Sequence, residues 1–204
     1  MRFTPSLFQS SARTEPLAAR AASDLKFIRT AMQCSGRFTA VPGWGAVFMG
    51  SVALVATGFA LGQDSAQAWL AVWLSAAGIA GPVGAWALAQ KARAQGISLA
   101  SGLGRKFLLG LCPGLIAGCA LTWVLWNAGR IDLLPVTWLL VYGASITAAG
   151  ALSIPVVPLM GSGFLALGIL AVLVPLSWGS ALLAIGFGGL HIAFGYWVAK
   201  HHGG

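Results

Sequence analysis

Residues 107–126 read FLLGLCPGLIAGCALTWVLW, with no charged side chain among them. Arg105 and Lys106 stop the run on one side, and Arg130 and Asp132 lie just beyond the other. A helix needs roughly 20 predominantly apolar residues to cross the hydrocarbon core of a bilayer, and this stretch supplies them. Working outward, five more stretches of the same kind appear, near residues 43–61, 68–89, 134–152, 156–174 and 178–198. Composition says the same. The chain is 58% hydrophobic and 8% charged, with a mean hydropathy of +0.84, whereas soluble domains are about 25% charged. So little charge cannot clothe a water-facing surface, so lipid must cover most of it. The predicted fold is all-α: a polytopic membrane protein of six transmembrane helices that pair into three hairpins.

Orientation follows from where the cations fall. Six Lys or Arg precede helix 1, four lie between residues 90 and 106, and one follows helix 6. An even number of helices separates these regions, so they share a side, and the opposite side holds only Arg130. Cytoplasmic loops carry the excess of Lys and Arg, so eleven against one predicts that both termini are cytoplasmic. Tryptophan gives a second indicator, because its amphipathic ring favours the headgroup level. Trp69, Trp73, Trp123, Trp126, Trp138 and Trp178 fall near the outer helix ends, and Trp44, Trp86 and Trp197 near the inner ends.

The expected organisation is a cytoplasmic tail over residues 1–41, a six-helix domain over 42–199 and a short cytoplasmic end over 200–204. Residues 1–17 read as disordered, and no secretory apolar core occurs in the first 25 residues. Residues 18–35 read as an amphipathic helix with Ser23 as N-cap. Leu25, Ile28 and Met32 share one face, with Lys26 and Arg29 at its edges, so it can lie on the inner leaflet or pack under the bundle. The segment Phe38-Thr39-Ala40-Val41-Pro42-Gly43-Trp44-Gly45 links it to helix 1. Pro and Gly permit a sharp bend there, and Trp44 can anchor it at the interface or meet a partner. The plain role is an elbow; the sharper one is a hinge that relays the state of the bilayer or a ligand to the tail. Val41-Pro42-Gly43, Cys112-Pro113-Gly114 and Val157-Pro158 open the odd-numbered helices loosely alike, which raises a threefold repeat of hairpins.

Gly110, Gly114 and Gly118 form a GxxxGxxxG strip, and Gly143, Thr147 and Ala151 a similar one on helix 4. Small residues spaced by four let helix backbones approach closely. Packing within this chain is preferred over a dimer seam, because glycine is abundant here (28 residues). His191, in Gly-Phe-Gly-Gly-Leu-His-Ile-Ala-Phe-Gly, is the readily titratable side chain left inside the hydrocarbon. An intramembrane ionisable group marks a candidate functional site. It could serve as a haem ligand, a proton carrier or a hydrogen-bond anchor. The plain role, which weighs more, is a neutral imidazole bonded to a Ser, Thr or backbone carbonyl on a neighbouring helix.

Reaction chemistry is sparse. There is no HExxH, GxSxG, P-loop or paired-carboxylate pattern. Cys34, Cys112 and Cys119 are too scattered for a zinc site or a disulfide framework. The expectation is therefore a non-enzymatic membrane component with no cofactor and no metal. It would act through its cytoplasmic face, an accessory or regulatory part with a protein partner in the cytoplasm or membrane. Anionic lipid is expected at the inner face, and nucleic acid is not. The alternatives are a small-solute or ion transporter using His191, and a cofactor- or pigment-holding subunit of a membrane complex.

The elbow, with the preceding Leu25-Lys26-Phe27-Ile28-Arg29, and the closing run from Gly186 through His191 to Gly204 resemble a group of bacterial multi-pass inner-membrane proteins of no known activity. The resemblance implies a bacterial inner membrane and adds no catalytic residue. The ending Lys200-His201-His202 stands where that group leads one to expect an Arg-rich run.

Overall fold

A computed structural model describes residues 22–25 and 36–203. Residues 22–25 are helical; the rest of the amphipathic helix expected over 18–35 lies outside the described residues, as does the tail before it. Residues 1–36 and 37–204 form separate units, and the second holds the membrane domain.

That unit is all helix, and six of its spans are long and apolar enough to cross a membrane. They comprise α1 (Gly43–Leu61), α2 (Ala66–Ala94), α3 (Gly102–Asn127), α4 (Leu134–Gly150) and α5 (Val156–Leu173). The sixth span is composite. A 3-10 turn (Leu176–Trp178) leads into α6 (Gly179–Leu183), a π-helical segment (Ala184–Leu190) and α7 (His191–His202). The chain is a multi-pass membrane protein. The turns obey local chemistry: Ser65 caps α2 by accepting from the Ala68 N–H at 3.1 Å. Gly129 takes a positive φ where α3 ends.

The end of α2 and the start of α3 run further than the apolar stretches predicted, to Ala94 and from Gly102. This shortens the polar join to residues 95–101. Cys112-Pro113-Gly114 lies well inside α3, so it does not open that helix, and the loose threefold pattern breaks at its second member.

Glycines decide which helices meet. A Cβ on Gly43 would sit 2.6 Å from the Ala199 Cα, and one on Gly195 would sit 2.8 Å from the Gly43 carbonyl oxygen. Gly50 would meet the Gly188 carbonyl oxygen at 2.7 Å. These contacts form a backbone-to-backbone seam between α1 and the last span. A second seam joins α4 to α5. A Cβ on Gly143 would sit 2.8 Å from the Leu165 nitrogen, one on Gly161 2.6 Å from the Thr147 nitrogen, and one on Gly150 2.6 Å from the Pro158 nitrogen. Gly110 meets Ala149 and Gly114 meets Ser145, which seats α3 on α4. Gly118 is looser: a Cβ there would lie 3.7 Å from Val141.

The GxxxG strips thus serve packing within the chain, and α4 uses two faces: Ser145 and Ala149 toward α3, Gly143 and Thr147 toward α5. The hairpin pairing needs correction. Hairpins α1–α2 and α3–α4 pack as pairs, but the last span packs chiefly on α1 and α5 on α4. Without a hydrophobic drive between helices in lipid, close van der Waals approach sets the partners, and the glycines lie on those seams.

The tryptophans divide unexpectedly. Trp44, Trp86, Trp123, Trp126, Trp178 and Trp197 are exposed, as an interfacial belt requires. Trp69, Trp73 and Trp138 instead form an interior trio with ring centroids 5.9–6.4 Å apart. Ser180 Oγ accepts from the Trp69 indole and Thr122 Oγ1 from the Trp138 indole, both at 2.8 Å.

Candidate functional site

Two places concentrate buried polar chemistry: the surroundings of His191 and the seat of the elbow.

His191 is 2% exposed and begins α7, directly after the π segment. That segment contains Gly186, Gly188 and Gly189, which disfavour a regular α-helix. Its wider turn lets Gly186 pack on Leu139 of α4 and Phe164 of α5, while Gly188 packs on Leu54 of α1. Such π insertions are uncommon and often adjoin functional sites. The imidazole lies among three aromatic rings: Phe164 at 5.4 Å, Tyr142 at 5.5 Å and Phe187 at 6.0 Å between centroids.

His191 Nε2 and the Tyr142 hydroxyl on α4 are 2.8 Å apart. Nδ1 is buried with no hydrogen-bond partner. The Tyr142 hydroxyl can donate to Nε2 or accept from it, according to the tautomer of the imidazole.

This arrangement is an interhelical tie whose partner is a tyrosine, where a Ser, Thr or backbone carbonyl was expected. Nε2 is engaged by Tyr142, and Nδ1 is the ring nitrogen left without a partner. Tyr142→Phe would leave Nε2 unpaired as well as Nδ1. It is expected to lower stability in detergent by about 1–2 kcal/mol, measured as a fall in the denaturation midpoint.

Sequence reasoning did not find Tyr142. The signal was available: it is one of two tyrosines in the chain, and the one in the middle of a span. A hydroxyl there needs a partner, and so does the histidine.

The elbow is seated rather than merely bent. Phe38 is fully buried and stacks on Phe107 of α3, centroids 4.5 Å apart. Its backbone N–H donates to the Leu152 carbonyl at 2.8 Å, and Ser153 Oγ donates to the Phe38 carbonyl at 2.6 Å. These bonds fix residues 37–40 to the α4–α5 turn as a parallel bridge between Phe38 and Ser153. Thr39 Oγ1 donates to Gln95 Oε1 at 3.0 Å at the end of α2. Ala40 is fully buried in the same core, with Leu88, Ala92, Ile146 and Ala149.

Lys91, 9% exposed on α2, closes the seat. Its Nζ donates to the Val41 carbonyl at 2.9 Å and to the Gly203 carbonyl, holding the elbow and the chain's end together. Burying an ammonium is costly unless its protons are satisfied, and these carbonyls satisfy two of the three. Trp44 stands apart from the seat. It is 58% exposed on the first turn of α1 and meets only the Tyr196 ring edge-on at 6.4 Å among the described ring contacts.

The structure does not bring the candidates together into one site. His191 is enclosed by the mid-span aromatics, Trp44 is a surface residue, and the glycines and Thr147 are packing elements. Comparison with family models, with curated proteins and with solved structures gave no match.

Proposed function

We infer that this chain is a non-enzymatic component of a bacterial inner membrane that works through its cytoplasmic face with a protein partner. The seat of Phe38 is the observation that carries the reading. A tail that only trailed from helix 1 would need no buried aromatic, no bridge to the α4–α5 turn and no lysine clasp. A root built into the bundle ties residues 37–40 to the membrane domain, which suits an attachment point for a segment that meets a partner.

The charge distribution supports the same face. With both termini inside, eleven of twelve Lys and Arg lie on the cytoplasmic side. The joins on the other side are short, at residues 62–65, 128–130 and 174–175.

The test is co-purification from mild detergent, comparing the full chain with a version lacking residues 1–36 that keeps the seat. A partner recovered in fixed ratio with the full chain and lost with the truncation supports the reading. Recovery of this chain alone from both, with the truncation fully functional in cells, refutes it.

A second reading, passage of a small solute or ion using His191, draws on the unpartnered Nδ1. It requires liposome flux that falls in His191→Ala, and flux indifferent to that substitution removes it.

A further inference from the structure

On the cytoplasmic half of the membrane domain, α5 and α7 splay apart. Higher up they meet, where Leu190 packs on Gly163 and His191 on Phe164. Below that contact a cleft of about 450 Å³ opens between them, lined by Pro155, Val156, Leu159, Ala193, Phe194 and Trp197. Every lining side chain is apolar or aromatic, and Leu159 and Trp197 are exposed on the outer surface of the bundle. The volume falls in the range of small-ligand pockets, roughly 300–1,000 Å³. The cleft spans the first turn of α5 and the turn of α7 from Ala193 to Trp197.

One cation, Lys200, lies just beyond the α7 wall of the cleft in sequence. Lys200 and His201 follow Trp197 by three and four residues and so lie on the same helical face as Trp197 and Ala193. The His201 ring stacks on Trp197 at 4.5 Å, and its Nδ1 donates to the Trp197 carbonyl at 2.8 Å, which braces the indole as a wall of the cleft. Lys200 Nζ lies 5.1 Å from the centre of the Tyr196 ring and is exposed, with its charge available at the surface. No Asp or Glu follows Asp132 anywhere in the sequence, so neither wall of the cleft supplies a competing carboxylate.

We propose that this cleft is a binding site for one anionic phospholipid of the cytoplasmic leaflet, whose acyl chain enters between α5 and α7 and whose phosphate meets Lys200. The proposal rests on the membrane-spanning fold and on the orientation that the Lys and Arg distribution gives. It does not depend on the protein partner, so the co-purification experiment and this one can fail separately.

The test is native mass spectrometry of the full chain, extracted from vesicles of equal parts phosphatidylglycerol and phosphatidylcholine. One phosphatidylglycerol should survive delipidation about fivefold more often than phosphatidylcholine, the preference one lysine confers at a membrane surface. Ala193→Trp fills the cleft and should abolish the retained lipid. Ala117→Trp, the same change on the exposed face of α3, should retain it as the original chain does. Lys200→Gln should keep a bound lipid and lose the headgroup preference. Retention unchanged in Ala193→Trp, or no preference for phosphatidylglycerol in the original chain, overturns the proposal. Should Ala193→Trp fail to fold by circular dichroism, Leu159→Trp carries the same expectation.

Discussion

Phe38→Ala should be among the most damaging single substitutions in the membrane domain, lowering stability by about 3–5 kcal/mol, the range for truncating a fully buried phenylalanine. The ring is fully buried against Phe107, and the surrounding core includes Leu88, Ile146, Ile154 and Val157. Its backbone is held on both sides, by Leu152 and Ser153, so the segment cannot easily slide to refill the space. Two measurements check this. The denaturation midpoint in detergent should fall, and the Arg37 peptide bond should become susceptible to trypsin in sealed, inside-out vesicles. Trp44→Ala, six residues on and exposed, should change stability by no more than about 0.5 kcal/mol. Equal, small effects from both substitutions would mean that the elbow is not seated.

The second large effect belongs to Gly161. A β-carbon there would lie 2.6 Å from the Thr147 nitrogen and 2.9 Å from the Gly143 carbonyl oxygen, backbone atoms that cannot move aside without shifting α4. Gly161→Val should therefore push α4 and α5 apart and cost about 3 kcal/mol, the upper end of ordinary overpacking. Because Gly143 and Phe164 share this seam and Tyr142 adjoins it, the Tyr142–His191 tie should loosen as well. Tyrosine fluorescence or ultraviolet resonance Raman of the Tyr142 hydroxyl would register the loss. Gly78→Val provides the contrast. A β-carbon on Gly78 meets nothing within 4 Å, so that substitution should be close to neutral despite its equal size. The pair separates a packing role for glycine from a general intolerance of bulk in these spans.

The spans themselves were legible in the sequence because lipid imposes a single rule on everything that crosses it. An apolar run of sufficient length, free of charge, has few other uses in a chain this poor in Asp, Glu, Lys and Arg. The bounds of α1 agree at both ends for that reason. The ends of α2 and α3 were less legible, since helix there continues past the hydrocarbon into a polar stretch where hydropathy says nothing. Helix neighbours were hidden for a different reason. With 28 glycines the strips were visible but not their partners, and adjacency in the chain suggested hairpins where close backbone approach selected α1 with the last span and α4 with α5.

The two buried polar sites were hidden still more deeply. His191 stood out because its side chain titrates near neutrality; Tyr142, though it is the tyrosine in the middle of a span, did not, because a hydroxyl carries no charge there. The elbow read as a bend from Pro42 and Gly43, which is correct as far as it goes. Nothing in Phe-Thr-Ala says that its phenylalanine finds Phe107 on a distant helix, because that contact depends on where α3 and the α4–α5 turn bring their inner ends. Lys91 was counted as a topology charge, and it also proves to be a clasp, using carbonyls as partners where a carboxylate would ordinarily be sought.

Everything inferred for the tail depends on the elbow sitting beneath the bundle, and cysteine cross-linking measures that directly. In a chain with Cys34, Cys112 and Cys119 replaced by serine, cysteines at Thr39 and Gln95, whose side-chain oxygens lie 3.0 Å apart, should be joined in native membranes by a short bifunctional maleimide. Phe38→Ala in the same chain should reduce that joining sharply. Absence of the cross-link in the otherwise unaltered chain, with both cysteines shown to react singly, would contradict the seat and with it the proposed role of the cytoplasmic face.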